Sequence, residues 1–143
     1  RKGRVMILYL APIKSMLNNS VVKFDSVKFG SVNIDNFTPH TINVFSSYGE
    51  KQLFSIVSSG VARAAESHEL MDTLSTDDFN IPVDRVSYGT VDGLPPEKEG
   101  VFHVVSLITA LQCVGKRNDL LIVSGTVRDD QGRIMGCTGF ARV

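Results

Sequence analysis

The chain has 143 residues, 43% hydrophobic and 21% charged, which is the composition of a single globular domain with a core of its own. Fifteen basic residues balance fifteen acidic ones, so no net field draws the protein to nucleic acid or to an anionic membrane. Nor does net repulsion keep copies apart, so a homo-oligomer is the expected state.

The first apolar stretch is Val5-Met6-Ile7-Leu8-Tyr9-Leu10-Ala11. It comes after basic residues as a signal peptide would, but Pro12 and Lys14 break it and no small-x-small cleavage site lies close behind. It also falls far short of the about 20 apolar residues of a membrane span. Residues 4–10 therefore read as a strand and residues 13–19 as a polar connector. Residues 21–29 alternate apolar and polar side chains, the period of a half-buried strand. Gly30 to Asn36 is turn-rich. Residues 41–45 and 52–57 read as the two arms of a hairpin, with Gly49 supplying a positive φ in the loop between them.

Residues 61–74 hold Ala62, Ala64, Ala65, Glu66, Glu69, Leu70 and Met71, a composition that favours helix. The Ser58-Ser59-Gly60 lead-in allows an edge strand instead. Residues 75–82 read as a polar loop, 83–91 as a strand, and 93–100 as a loop punctuated by two prolines and two glycines.

Val101 to Val105 is a β-branched run suited to a strand buried on both faces. Ser106 then caps a helix over 107–114, whose Leu107, Ala110, Leu111 and Val114 share one face, and Gly115 stops it. A continuous helix from Val101 is the alternative. Residues 120–123 read as an interior strand. Asp129-Asp130-Gln131-Gly132 fits a tight type I turn closed by a left-handed glycine. Residues 134–143 form the last strand, with Gly136 and Gly139 marking a bulge or a close backbone approach.

Together these elements predict an α+β fold: a single domain with a mostly antiparallel twisted β-sheet and one or two short helices, near 106–114 and 61–73. Residues 1–36 form an added N-terminal β-segment or arm on a core of 37–143. Free sheet edges would let subunits pair.

Residues 37–143 resemble a family of small bacteriophage and prophage proteins. The resemblance is carried in order by Phe37-Thr38-Pro39-His40, Ser58-Ser59-Gly60-Val61-Ala62-Arg63, Gly93-Leu94-Pro95, Glu99-Gly100, Val104-Val105-Ser106, Asp119-Leu120 and Val127-Arg128-Asp129 with Gly132-Arg133-Ile134. It covers about three-quarters of the chain. It implies a phage origin, and with it the host cytoplasm or the virion as location. The jobs it implies are virion part, host takeover or counter-defence, with no established activity to transfer.

Nucleotide-binding glycine loops, a nucleophile elbow and an H-E-x-x-H helix are absent from the sequence. His40, His68 and His103 are widely spaced, and with Cys113 and Cys137 they show no metal-ligand spacing. No cofactor, metal or catalytic residue is assigned on these grounds, and an enzyme is the lesser expectation. The two cysteines read as small core hydrophobes in a reducing compartment.

What remains is a set of anion-binding candidates at strand ends: His40, Ser59, Arg63, Arg85, Ser106 and Arg128. Arginine forks match phosphate and carboxylate geometry, and a serine at a helix start adds backbone N–H groups. Their reading is capture of a small anionic, nucleotide-like ligand, such as an immune signal. Each has a plainer role beside it: Ser106 capping its own helix, His40 bonding a local carbonyl, the arginines solvated or paired on the surface. The alternative function is a structural or host-protein-interaction module without a small-molecule ligand.

Overall fold

A computed structural model describes residues 21–143; the strand expected over 4–10 and the connector over 13–19 lie outside the described residues. Ten strands and one helix succeed one another in the described chain. They are β1 (Lys23–Phe24), β2 (Ser26–Phe29), β3 (Val32–Asn36), β4 (Ile42–Phe45), β5 (Gln52–Ile56), β6 (Arg63–Ser75), β7 (Asn80–Asp92), β8 (Val101–Val104), α1 (Leu107–Gln112), β9 (Leu120–Arg128) and β10 (Ile134–Ala141). The fold is thus β-rich rather than α+β. Its only helix among the described residues is six residues long.

Eight strands form one sheet in the order β1-β5-β4-β10-β9-β8-β3-β2. β1 and β2 are the two outermost strands of that order, yet only Asp25 separates them in the chain. The sheet must therefore curl until its ends meet, which makes it a nearly closed barrel. The pairing is mixed and not mostly antiparallel: β1/β5, β4/β10, β3/β8 and β8/β9 run parallel.

Among the described residues no ladder joins β1 to β2. The seam is held instead by side chains and by the segment that leaves β5. Asn36 is the centre of this clasp and is fully buried. Its amide nitrogen donates to the Ile56 carbonyl at 3.0 Å and to the His40 carbonyl at 2.7 Å. Its amide oxygen accepts from the Thr38 backbone N–H at 2.9 Å and from the Thr38 hydroxyl at 2.7 Å. The Ser59 N–H donates to the Asn36 carbonyl at 2.8 Å, beside a parallel bridge to Ser58. Every polar group of a buried amide is thus satisfied, which is the condition for burying one at all.

The barrel is filled by Val27, Ile34, Ile42, Val44, Phe54, Ile56, Val104 and Cys137. Phe24 meets Phe54 edge to face with ring centroids 6.0 Å apart. A second cluster, Ala62, Val105, Ala110, Cys113 and Leu120, packs α1 against the outside of the sheet. Both cysteines are buried and free, and burial pushes the Cys137 thiol above its ordinary value.

The segment expected as a helix over 61–73 is the long strand β6. It pairs antiparallel with β7, each strand thirteen residues long, and the two form a separate two-stranded sheet. The reason is tertiary. β7 supplies ladder partners from Arg63 to Ser75, broken only by two bulges, and this pairing overrides the helix propensity of the segment. The loop expected over 75–82 shrinks to a tight turn, in which the Thr76 hydroxyl accepts from the N–H groups of Asp78 and Phe79, each at 3.2 Å. At the ribbon's base the returning chain passes over its own start. Gly93, at φ +96°, allows this, because a Cβ there would run into the Val61 carbonyl oxygen.

Asn36→Ala removes the side-chain donor to the buried Ile56 carbonyl and opens the clasp. The expected loss is about 1–3 kcal/mol of stability, read as a lower urea midpoint with retained β-type circular dichroism.

Candidate interaction ribbon

β6 and β7 leave the barrel after Ile56 and return to it before β8. Their bases are fixed under α1: Ala62, Val91 and Leu94 belong to the cluster around Ala110 and Cys113, and the Thr109 hydroxyl donates to the Ala62 carbonyl at 3.3 Å. Beyond this base nearly every residue is exposed; only Ala64, Tyr88 and Val91 are partly covered. Leu70, Met71, Leu74, Phe79, Ile81, Val83 and Val86 are all open to solvent, with Leu70 at 62% and Leu74 and Phe79 at 57%.

Register decides how these side chains are displayed. Leu74 faces Ile81, and Val83 lies on the same side two residues on. Leu70 and Val86 take the other side, and a bulge between Leu70 and Asp72 sets Met71 apart. The outer half of the ribbon is therefore apolar on both faces, and neither face packs on the barrel.

Toward the base the side chains turn polar, beginning with His68, which faces Val86 across the ladder. His68 shares a hydrogen bond of 2.7 Å with Glu66 and stands 3.3 Å from Asp84. The hydrogen bond to Glu66 raises the His68 pKa above its ordinary value; desolvation opposes this, and the Glu66 charge and the interactions with Asp84 add to it.

A buried polar chain lies on the barrel side. His103 Nδ1 bonds Asp35 Oδ1 at 2.5 Å, and its Nε2 stands 3.7 Å from Asp119 Oδ2 without a hydrogen bond. The Phe37 ring meets the imidazole edge-on with centroids 5.1 Å apart. Arg117 grips Asp119 with two bonds, Nε to Oδ1 at 2.9 Å and Nη2 to Oδ2 at 2.7 Å, and donates to the Pro95 carbonyl at 2.7 Å. Burial alone would raise the Asp119 carboxyl, but the Arg117 bonds and charge outweigh it and hold it below the usual carboxylate range. This chain pins the loop after the ribbon to the entry of β9. Its geometry is that of a fastener.

The six anion-binding candidates are dispersed. His40 and Ser106 line an apolar groove of about 630 Å³ over β4, β9 and β10. Ser106 also borders a hollow of about 390 Å³ with Arg63, and Glu66 and Tyr88 share that hollow. Arg85 sits opposite Glu69 on the ribbon. Arg128 donates to the Gly132 carbonyl at 2.8 Å in the β9–β10 turn. Ser59 lies at the barrel seam, its hydroxyl 3.4 Å from the Asp25 carbonyl. Ser106 caps α1, accepting from the Thr109 N–H at 3.2 Å. The structure thus brings together His40 with Ser106, and Ser106 with Arg63, while Arg63, Arg85 and Arg128 stand in three different places.

The helix-like composition of 61–74 hides the ribbon's apolar residues in the sequence. The alternation over 83–91 marks the second arm as a strand, and the Ser58-Ser59-Gly60 lead-in leaves an edge strand open for the first. Among the described residues no cluster able to hold a metal ion occurs, and no helix is long and apolar enough to cross a membrane. The chain matches no family model, no curated protein and no solved structure.

The two ion-pair systems respond to pH in opposite directions. The folded-state pKa of Asp119 is depressed, so its contribution is complete above the ordinary value of about 3.9 and fades as pH falls through the lower folded value. Asp119→Asn removes the two charge-assisted bonds of Arg117 and leaves the guanidinium with Glu97 at 3.6 Å and the Pro95 carbonyl; it is expected to cost about 1–3 kcal/mol near neutral pH, with a flatter stability profile in acid, both measured by urea unfolding. In the ribbon, the His68 ring tracked by NMR should titrate above the ordinary value of about 6.5, and Glu66→Gln should bring that midpoint down.

Proposed function

We propose that the protein is a protein-interaction module whose docking element is the β6–β7 ribbon, and that its first partner is another copy of the chain. The observation that carries this reading is seven large hydrophobic side chains exposed on a ribbon that pairs with nothing but itself. Monomeric proteins rarely present contiguous apolar surface of this kind unless it is used. A two-stranded ribbon is also marginal in water on its own and gains stability from a third layer or strand.

The chemistry of the ribbon defines what it fits. Its outer half offers aliphatic side chains on both faces, worth about 25 cal/mol per Å² once covered. Its inner half, with Glu66, His68, Glu69, Asp84 and Arg85, supplies the polar rim that gives an interface its register. The outer edge of β6 has no proline, whereas Pro82 interrupts that of β7, so β6 is the better edge for adding a strand. Zero net charge sets up no repulsion between copies.

Capture of a nucleotide-like anion is the weaker reading. It needs guanidinium groups around one hollow, and of the three candidate arginines only Arg63 lies beside Ser106, in a hollow that also holds the Glu66 carboxylate.

Sedimentation equilibrium tests the proposal. The full chain should sediment as an oligomer at micromolar concentration. Leu74→Asp with Ile81→Asp should shift it to monomer while leaving the urea midpoint of the barrel unchanged. A wild-type chain that stays monomeric, or an oligomer untouched by these substitutions, would remove the ribbon from this role.

A further inference from the structure

The barrel carries a second apolar surface without a partner among the described residues. It is the groove over β4, β9 and β10, bordered by the start of α1, where Leu107, Val123, Ile134 and Met135 are all exposed. This groove lies at the foot of the ribbon. Thr38 and Ser106 line both the groove and the neighbouring hollow, and that hollow reaches Ala64, Glu66 and Tyr88 at the ribbon's base. The ribbon's own apolar patch is at its other end. Thirteen residues per strand extend about 40 Å, and the large exposed side chains begin only at Leu70 on β6 and end at Val86 on β7.

Charge sets the two surfaces apart. From Leu70 to Asp84 the ribbon carries Asp72, Asp77, Asp78 and Asp84 and no lysine or arginine. Tip against tip would set these like charges side by side, which is destabilising. The groove has no acidic side chain on its walls, and His40 is among the residues that line it. The turn beyond Ile134 balances Arg128 and Arg133 against Asp129 and Asp130, and Asp129 is taken up by Arg133 at 2.9 Å. Of the two apolar surfaces on a second copy, the groove is therefore the one that an acidic tip can cover without repulsion.

We infer that the outer half of one copy's ribbon lies in this groove of a second copy, with the two ribbons antiparallel, so that each copy gives one ribbon and receives one. The inference rests on the ribbon being the docking element. The antiparallel arrangement follows from the place of the groove: each tip meets the other copy's foot, and the aspartates of the two tips stay a ribbon's length apart. A two-fold pair makes the contact twice. Each patch therefore need cover only about 400 Å² to reach the roughly 800 Å² per partner of a stable complex. Seven large exposed side chains on the ribbon are enough for that. The exchange also closes on itself: with both grooves filled, no third copy can add, and the product is a dimer rather than a filament.

The test reads both the state of the full chain and the contact itself. Leu107→Asp with Ile134→Asp, both at exposed positions, should turn the dimer into monomer in sedimentation equilibrium and leave the urea midpoint unchanged. Leu107→Lys with Ile134→Lys meets the acidic tip with the opposite sign and should leave a dimer at least tenfold tighter than the aspartate pair does. For the contact, Ser75→Cys near the tip is placed in an untagged chain and Thr41→Cys at the groove in a tagged one, since both native cysteines are buried. After mixing and mild oxidation, the link between position 75 of one copy and position 41 of the other should form at least tenfold faster than the link between two positions 75. A dimer that Leu74→Asp with Ile81→Asp dissociates, but that the groove substitutions leave intact, would overturn the inference and leave the ribbon's role standing. Faster tip-to-tip linking, or an open series of oligomers, would do the same. A wild-type chain that stays monomeric, or an oligomer that resists the ribbon substitutions, would remove both.

Discussion

The barrel rests on one buried amide. Its outermost strands, β1 and β2, are consecutive in the chain and share no ladder among the described residues, so curvature alone does not close the sheet. Asn36 closes it from β3 by holding the Ile56 and His40 carbonyls and receiving Thr38. Of the four bonds on this buried side chain, three shape the turn from Asn36 to His40 and the fourth ties that turn to the end of β5 at Ile56. Such a group is costly to bury and worse to leave half satisfied, so it specifies a single arrangement where apolar packing would accept several. The parallel pairing of β3 with β8, and of β8 with β9, is built outward from this point.

The ribbon obeys the opposite logic. Its strands bury almost nothing beyond their bases, and their stability within one chain comes from backbone ladders and a few cross-strand pairs. The barrel is thus a self-sufficient scaffold, and the ribbon is surface put on display. The Arg117–Asp119 pair and the Pro95 contact fasten the return of the ribbon, so its foot is held firmly where its outer half is not.

Most elements are legible in the sequence wherever the local signal is strong. The 41–57 hairpin with Gly49, the Ser106 cap and the Asp129–Gly132 turn all have a residue-level cause, and each stands where expected, whereas α1 ends at Gln112 with Cys113 as its cap, before the expected stop at Gly115. Local signals fail where the deciding partner is remote. Residues 61–74 carry helix-forming side chains, and only the presence of β7 makes them a strand. Parallel pairing leaves no mark in a short apolar run, so in the sequence a mixed barrel looks like an antiparallel sheet. The candidate site is legible only in fragments. Ser106 and His40 meet along one groove, but Arg63, Arg85 and Arg128 carry no local signal of their direction, and their dispersal is visible only in three dimensions.

The two arms of the ribbon alternate their side chains with a period of two and meet at a short turn, Thr76 to Phe79, remote from every core contact. Length can therefore change here in matched steps of two residues per arm without disturbing a single atom of the scaffold. Each such step slides the oily patch outward or inward along a fixed stalk, whereas a step of one would swap its sides. Reach and handedness of the displayed surface are in this way separable on one unchanged scaffold.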